Sequence, residues 1–260
     1  YNAVPTQLQE LANQGQLTEE AVASLPTIIA QFNESLKAES SVSYNLGFDY
    51  NPINTLKLNL NLFRNDITNL IDTRVIARKS NGQNVFSYTN IGQVYTQGLE
   101  FNTRWKVTDR LTISGGYQLL YAKDKDAEGA FENGEIFARE NPSSPSFQLS
   151  KNDYFGLFNR SRHLSNFKVF YTIPAWKIGT NLRATYRSKF GLFDTNANTY
   201  LDNFDSFVDD YTIWDFAISK TFHKNYKLGL GIDNLLDFTD PESISNVAGR
   251  ILYGKLSINF

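Results

Sequence analysis

The most specific chemical pattern in the chain is DTNANTYLDNFD, residues 194–205. Asp194, Asn196, Asn198, Asp202 and Asp205 fall at positions 1, 3, 5, 9 and 12 of a calcium loop, with the Tyr200 carbonyl at position 7. A turning loop brings every second side chain inward, so oxygen ligands at alternate positions can wrap one hard cation. Two departures count against that reading: Thr199 stands where the sharp turn takes glycine, and Asp205 is shorter than the usual bidentate glutamate. A plain acidic surface loop is the competing reading. A second cluster, Tyr154 to His163, combines the aromatic run YFGLF with Arg160, Arg162 and His163. Arginines recognise anions, and Tyr154 and Phe158 offer rings for contact with a ligand. Arg183 and Arg187 add to the cationic set. His163 has the chemistry of an axial haem ligand or of an ordinary hydrogen-bonding residue at a loop–strand junction. No nucleophile elbow, phosphate-binding glycine loop or metal-spaced histidine cluster is present, so the expectation is that the chain is not an enzyme and requires no cofactor beyond a structural Ca2+.

The elements that must position these residues are read from periodicity. From Ser41 onward the apolar period is two. Val42, Tyr44, Leu46, Phe48 and Tyr50 alternate with polar neighbours, as do Leu56, Leu58, Leu60 and Leu62 against Lys57, Asn59 and Asn61. The pattern recurs through Leu99, Phe101 and Trp105, through Leu111, Ile113, Tyr117, Leu119 and Tyr121, and through Phe167, Val169 and Tyr171. It continues in Ile178, Leu182, Ala184 and Tyr186, then in Trp214, Phe216 and Ile218, in Leu228, Leu230 and Ile232, and in the final GRILYGKLSINF. About nine strands follow from this count. Residues 1–40 differ: Leu8 and Leu11, then Ala21, Leu25, Ile28, Ile29 and Phe32, follow a helical period. Thr18 before Glu19 and Glu20 marks a helix start, and Pro26 is expected to limit the helix.

Loop lengths segregate. NPIN, VTDR, IPAWK and FHKNY are tight turns, whereas ARKSNGQN, residues 123–163, residues 188–210 and FTDPESISNVAG are long. Short turns at one end of every hairpin and long loops at the other are the pattern of an outer-membrane β-barrel. Trp105, Trp176, Phe222 and Tyr226 sit near the short turns, where an interfacial aromatic girdle belongs. Glu100, Asn102, Arg104, Arg183 and Arg187 lie on the polar side, where a dry barrel core needs apolar filling and a wet lumen does not.

Composition agrees. The 260 residues include 14 Tyr and 20 Phe, yet mean hydropathy is −0.37 and no run reaches the roughly 18 apolar residues of a transmembrane helix. A barrel wall stays polar on average because only one face of each strand meets lipid. A soluble sandwich or lipocalin-like barrel is also compatible with the bare numbers. A net charge of −2 offers no basic field for nucleic acid, and zero cysteines exclude a disulfide framework. The chain opens on Tyr1 with no secretion signal, which suggests a piece of a longer precursor.

KAESSVSYNLGFDYNP, LFRNDITNLI, YTNIGQVYTQGLEFNTRW, GLGIDNLLDFTDP and the terminal GRILYGKLSINF, taken in order, resemble the carboxyl-terminal barrel of TonB-dependent outer-membrane receptors; RSRHLSNFKVFY and DNLLD are most similar to members from Bacteroidetes. The resemblance implies an all-β antiparallel transmembrane barrel of about 22 strands, of which residues 41–260 are the carboxyl-terminal portion. Residues 1–40 would be a helical extracellular loop, and the amino-terminal plug would lie outside this chain. It implies active uptake of a scarce nutrient such as a ferric siderophore, haem or cobalamin. The alternative is a passive porin-like or soluble ligand-binding barrel. Implied partners are outer-membrane lipid, the plug and remaining strands of the same receptor, the TonB complex acting through the plug, the barrel-assembly machinery reading Phe260 as its signal, and a surface lipoprotein.

Overall fold

Alternation becomes strand wherever it persists, because a pleated backbone sends successive side chains to opposite faces. The computed structural model describes residues 4–32, 36–81, 84–139, 144–196, 198–223, 225–244 and 246–258. Helices α1 (Val4–Asn13) and α2 (Glu19–Phe32) come first. Strands β1 (Ser40–Ile53), β2 (Leu56–Arg78), β3 (Asn84–Lys106) and β4 (Leu111–Asp124) follow, then helix α3 (Lys125–Glu132). Short strands β5 (Phe137–Ala138), β6 (Phe147–Gln148) and β7 (Tyr154–Gly156) lead to the long β8 (His163–Ile173) and β9 (Ile178–Arg187). A second set of short strands, β10 (Phe190–Phe193), β11 (Leu201–Asp202) and β12 (Ser206–Val208), precedes β13 (Tyr211–Phe222), β14 (Tyr226–Asp233) and β15 (Ile251–Ile258).

Nine of these strands form one sheet in the order β1-β2-β3-β4-β8-β9-β13-β14-β15. Its described pairings are antiparallel; tight turns join β8 to β9 and β13 to β14, whereas long loops join β4 to β8, β9 to β13 and β14 to β15. Rows of register partners separate the faces: Ile113, Val169, Leu182, Phe216, Ile232 and Leu252 stand side by side on the apolar face. Ser114, Lys168, Arg183 and Asp215 form the neighbouring polar row. Arg183 binds the Asp215 carboxylate at 2.7 Å, and Gln118 donates to Glu100 at 2.9 Å, so the charged face satisfies itself in part. The apolar face has no covering layer among the described residues. Val42, Tyr44, Leu46, Phe48, Tyr50, Phe101, Ile218, Leu230, Leu252 and Leu256 are all exposed and Leu58 is half-buried. A two-layer sandwich would bury that face, and it does not. No described helix is long and apolar enough to cross a membrane, which leaves crossing by strands untouched.

The chain divides into two units. The first, Tyr1–Val42, Asn65–Tyr95 and Asp124–Asp126, holds the two amino-terminal helices. Its core is Leu8, Leu17, Ala21, Leu25 and Ala77, so both helices bury their apolar stripe. Thr18 Oγ accepts the Ala21 N–H at 3.3 Å, as the expected start requires, but Pro26 does not end α2, which continues to Phe32. Only one helical hydrogen bond is forfeited at the proline. The polar ARKSNGQN segment is also less of a loop than its composition suggests, because β2 runs to Arg78 and β3 starts at Asn84. The second unit, Ser43–Arg64, Thr96–Lys123 and Ala127–Phe260, carries the long loops that hold the candidate site.

Candidate functional site

The loops between β4 and β8 and between β9 and β13 fold onto each other at the long-loop end. Ala127, Phe131, Ala138, Leu149 and Tyr154 form a small core there, flanked by Ile136, Phe147 and Tyr200. Phe131 stacks on Tyr154 at 5.0 Å between ring centres and meets Tyr200 edge-on at 5.8 Å. Tyr154, read from sequence as a ligand contact, is 3 % exposed and is therefore a packing residue of this core. Phe158 is half-buried.

Phe155, the next residue, is half-buried. Gly156 has φ of +134°, and a Cβ there would lie 2.4 Å from the Ala122 carbonyl, so only glycine lets this loop cross the end of β4 so closely. The crossing sets Phe155 between two cations. The Arg162 guanidinium lies 5.1 Å from the Tyr121 ring centre and 4.9 Å from that of Phe155. Lys189 Nζ lies 6.0 Å from the Phe155 ring and 4.9 Å from that of Phe207, and the two phenylalanines meet edge-on at 4.9 Å. Tyr121, Arg162, Phe155, Lys189 and Phe207 thus form an alternating ladder of rings and cations. Neither cation has a carboxylate partner among the described residues. Arg160 is exposed beside it, at a small cleft that Tyr121, Phe155 and Arg162 also line. A surface of this kind attracts anions and stacks on flat π systems. Arg160, Arg162 and the run YFGLF that holds Phe155 were expected in this region; Tyr121, Lys189 and Phe207 were not, because they lie far apart in the chain and meet only through sheet register and the Gly156 crossing.

Arg187 is spent locally: its guanidinium sits 3.7 Å over Phe190 and donates to Ser161 Oγ at 2.7 Å. His163 is the first residue of β8. Register pairs it with Leu119, on the face of Phe167 and Val169, and its Nδ1 lies 2.8 Å from the Tyr117 hydroxyl with the two rings stacked. That environment makes His163 a hydrogen-bonding partner of Tyr117.

The residues spaced like a calcium loop are engaged with one another. Asp202 is completely buried; its Oδ2 accepts the side-chain amides of Asn196 at 2.9 Å and Asn198 at 2.7 Å, and its Oδ1 accepts the Phe204 N–H. Asp194 accepts the Asn196 and Thr199 backbone N–H groups, and Asp205 those of Thr195 and Asp202. Tyr200, the seventh position, donates its N–H to Asn198 Oδ1 and turns its ring toward Phe131. Among the described residues no three carboxylate or imidazole groups converge in a metal-binding arrangement. Phe260, the expected assembly signal, lies outside the described residues.

Burial pushes the Asp205 carboxyl above its ordinary value of 3.8. The N–H groups of Asp202 and Thr195 oppose that shift, and the charges of Asp202 and Asp194 add to it. A raised value means that the folded loop holds this proton more tightly than the open loop does. The corresponding stability is fully present below the ordinary carboxylate range and is lost as pH rises through the raised value. Amide exchange at Thr195 and Asp202, corrected for the intrinsic pH effect, is therefore expected to show greater protection at mildly acidic pH than at pH 7. Asp205→Asn should abolish that slope, and an unchanged slope in the variant would reject Asp205 as its origin.

An antiparallel sheet with one uncovered apolar face, one charged face, tight turns at one end and folded loops at the other is a segment of a transmembrane β-barrel wall. The family profile of the TonB-dependent receptor-like β-barrel matches residues 3–235, and the chain belongs to that family. No curated protein sequence matches the chain. Among solved structures it is similar to the ferric enterobactin receptor PfeA of Pseudomonas aeruginosa crystallised as a mutant with enterobactin, at 20 % identity and a TM-score of 0.60, over 86 % of this chain and 32 % of that one. It is also similar to the ferric-catecholate import receptor Fiu of E. coli K12, at 18 % identity and a TM-score of 0.57, over 89 % and 29 %. The siderophore receptor PirA of Acinetobacter baumannii gives 20 % identity and 0.56, over 86 % and 32 %. At these identities the likeness concerns the fold and not the lineage. The chain spans about a third of those receptors' length.

Proposed function

We propose that this chain forms the carboxyl-terminal wall and part of the ligand-receiving loops of an outer-membrane receptor that imports an anionic, aromatic ferric siderophore of the catecholate type, with TonB-coupled energy. The observation that carries the reading is the ring–cation ladder. A ferric catecholate complex bears net negative charge over flat rings, and Arg162 and Lys189 between Tyr121, Phe155 and Phe207 complement both properties. Ligands of this class in the similar receptors support the choice. Haem is less favoured, because the His163 Nδ1 is engaged by Tyr117 on the apolar face.

The sheet ends in two edges, β1 and β15, that have no further neighbour among the described residues. An unpaired edge cannot stand in hydrocarbon, so the partners are the remaining strands of the same receptor, with a plug on the polar side and lipid on the other. The loop cluster is then extracellular, as are helices α1 and α2, and a surface lipoprotein is a further partner at that end. Growth decides the question. A strain lacking the intact receptor should fail with a ferric catecholate as sole iron source and recover on complementation, while growing normally on haem or on a porin-permeant iron salt. Equal growth on the catecholate would reject the reading.

A further inference from the structure

The ring–cation ladder is assembled from two separate loops. Phe155 and Arg162 come from the connection between β4 and β8, Lys189 and Phe207 from the one between β9 and β13, and the halves meet at the edge-on contact of the two phenylalanines. Each ring stands beside a break in register. β7 pairs with β11 through Gly156 opposite Leu201 and Tyr154 opposite Asp202, so Phe155 is the extra residue of a bulge. β10 pairs with β12 through Gly191 opposite Phe207, and the register then shifts, leaving Leu192 extra before Phe193 meets Ser206. A bulge leaves one residue out of the ladder of strand pairing and re-aims the side chains around it. Phe155, without a partner in β11, is thereby free to face Arg162, Lys189 and Phe207.

One side chain joins the two bulges. Leu201 has no exposed surface, is the register partner of Gly156, and lies over Gly191, where a Cβ would sit 2.1 Å from one Leu201 methyl and 2.6 Å from the other. The backbone at Gly191 is not left-handed, so it is this contact that calls for glycine. β11 is also held in place from both sides. The Asp202 carboxylate is fixed by the Asn196 and Asn198 amides, and the Asn203 N–H donates to the Asp153 carbonyl at 3.0 Å, just before β7. Gly191 is tied across as well: its carbonyl accepts the Asn159 N–H at 2.8 Å, from the loop that follows β7. Leu201 thus has strand β7 on one side, β10 on the other, and no free space into which to retreat.

We infer that Leu201, seated on Gly191, sets the separation of Phe155 from Phe207 and is a positioning residue for the ligand, which a fully buried side chain cannot touch. The inference rests on the ladder being the binding surface proposed above, and it divides the work there. Two rings held in edge-on contact between Arg162 and Lys189 suit a flat aromatic anion, whereas the same cations with the rings parted attract anions of any shape. The contact of Leu201 with Gly191 governs preference for rings, and the cations govern the salt dependence of affinity.

The test uses the intact receptor in detergent, carrying trifluoromethylphenylalanine in place of Phe155, whose fluorine resonance reports the surroundings of that ring with no ligand present. Phe207→Leu marks where the resonance lies when the partner ring is gone. Gly191→Ala, which drives a methyl into Leu201, should move the resonance toward that mark. In receptor with the native Phe155, the same substitution should weaken binding of ferric tricatecholate, the iron complex of free catechol, by about tenfold while leaving its salt dependence as in wild type. Adding Leu201→Ala removes the atoms that the new methyl meets, and should return the resonance and bring affinity to within about threefold of wild type. A resonance unmoved by Gly191→Ala would overturn the inference, and so would a double variant that stays where the single one lies. Should Gly191→Ala fail to insert in the membrane, Leu201→Val shortens the same contact without adding an atom, and an unmoved resonance there overturns the inference equally. The resonance is read without ligand, whereas binding of ferric tricatecholate to wild type reports on the receptor reading, so the two can fail independently.

Discussion

Receptor carrying both Arg162→Ala and Lys189→Ala is expected to bind a ferric catecholate about two to three orders of magnitude more weakly than wild type while still assembling in the membrane. A hydrogen bond or close contact to a charged group is worth about 1.5–3 kcal/mol when the partner charge is desolvated, and each decade of affinity is about 1.4 kcal/mol. Removing two such cations therefore costs roughly 3–5 kcal/mol of binding. The cost to folding is much smaller. Among the described residues Arg162 donates one long bond, 3.4 Å to the Phe155 carbonyl, and its contacts with the two rings are worth about 0.5–1 kcal/mol at a partly exposed site. Arg162→Lys keeps the charge but loses the planar group that fits between Tyr121 and Phe155, and should fall between the two, near a tenfold loss. Fluorescence-quenching titration of purified receptor at two salt concentrations measures this. The double variant should also lose most of the salt dependence of affinity, and an affinity within twofold of wild type would remove the ladder from the binding surface.

Much of the sheet was legible because its physics is local. Leu58 and Leu60 against Asn59 and Asn61, or Leu228 and Leu230 against glycines, announce a period of two, and tight turns such as NPIN fix which strands are neighbours. Where alternation lapses, legibility lapses with it. Adjacent apolar pairs such as Leu70–Ile71 and Val75–Ile76 blur the extension of β2, and the polar ARKSNGQN looked like a loop although strand continues to Arg78. The two- and three-residue strands of the long loops are too short for any alternation to reveal them. The candidate site was half legible. Arg160 and Arg162 could be named from charge, but choosing between Tyr154 and Phe155 required knowing which side of a three-residue strand faces the loop core. His163 shows the same limit from the other direction: one step of register puts it on the apolar face beside Tyr117. The spacing of Asp194 to Asp205 suggested alternate side chains turning toward one cation; in the structure the Asn196 and Asn198 amides meet the Asp202 carboxylate.

That last point gives the second large effect. Asp202→Ala is expected to open the loop of residues 194–205. It would strip the acceptor from the Asn196 and Asn198 amides and from the Phe204 N–H, in a residue with no exposed surface. Asn196 and Asn198 are half-buried and Phe204 is exposed, so each lost bond is worth about 1–1.5 kcal/mol, and the loss of roughly 3–5 kcal/mol falls on one segment. Leu201 and Tyr200 are its neighbours. Leu201 is completely buried with its side chain over Gly191, and Tyr200 meets Phe131, so the loop core should loosen as well. The long strands share none of these bonds and should keep their order. Limited trypsin digestion of the intact receptor should therefore cut after Lys189 in the variant and spare it in wild type, with the barrel core resistant in both. Chelation separates the two accounts of this loop. If hydrogen bonds to Asp202 hold it, EDTA leaves wild type protected and calcium does not rescue Asp202→Ala. If the alternating oxygens hold a calcium ion instead, EDTA alone makes wild type as cleavable as the variant, and that result would replace the hydrogen-bond account with the metal.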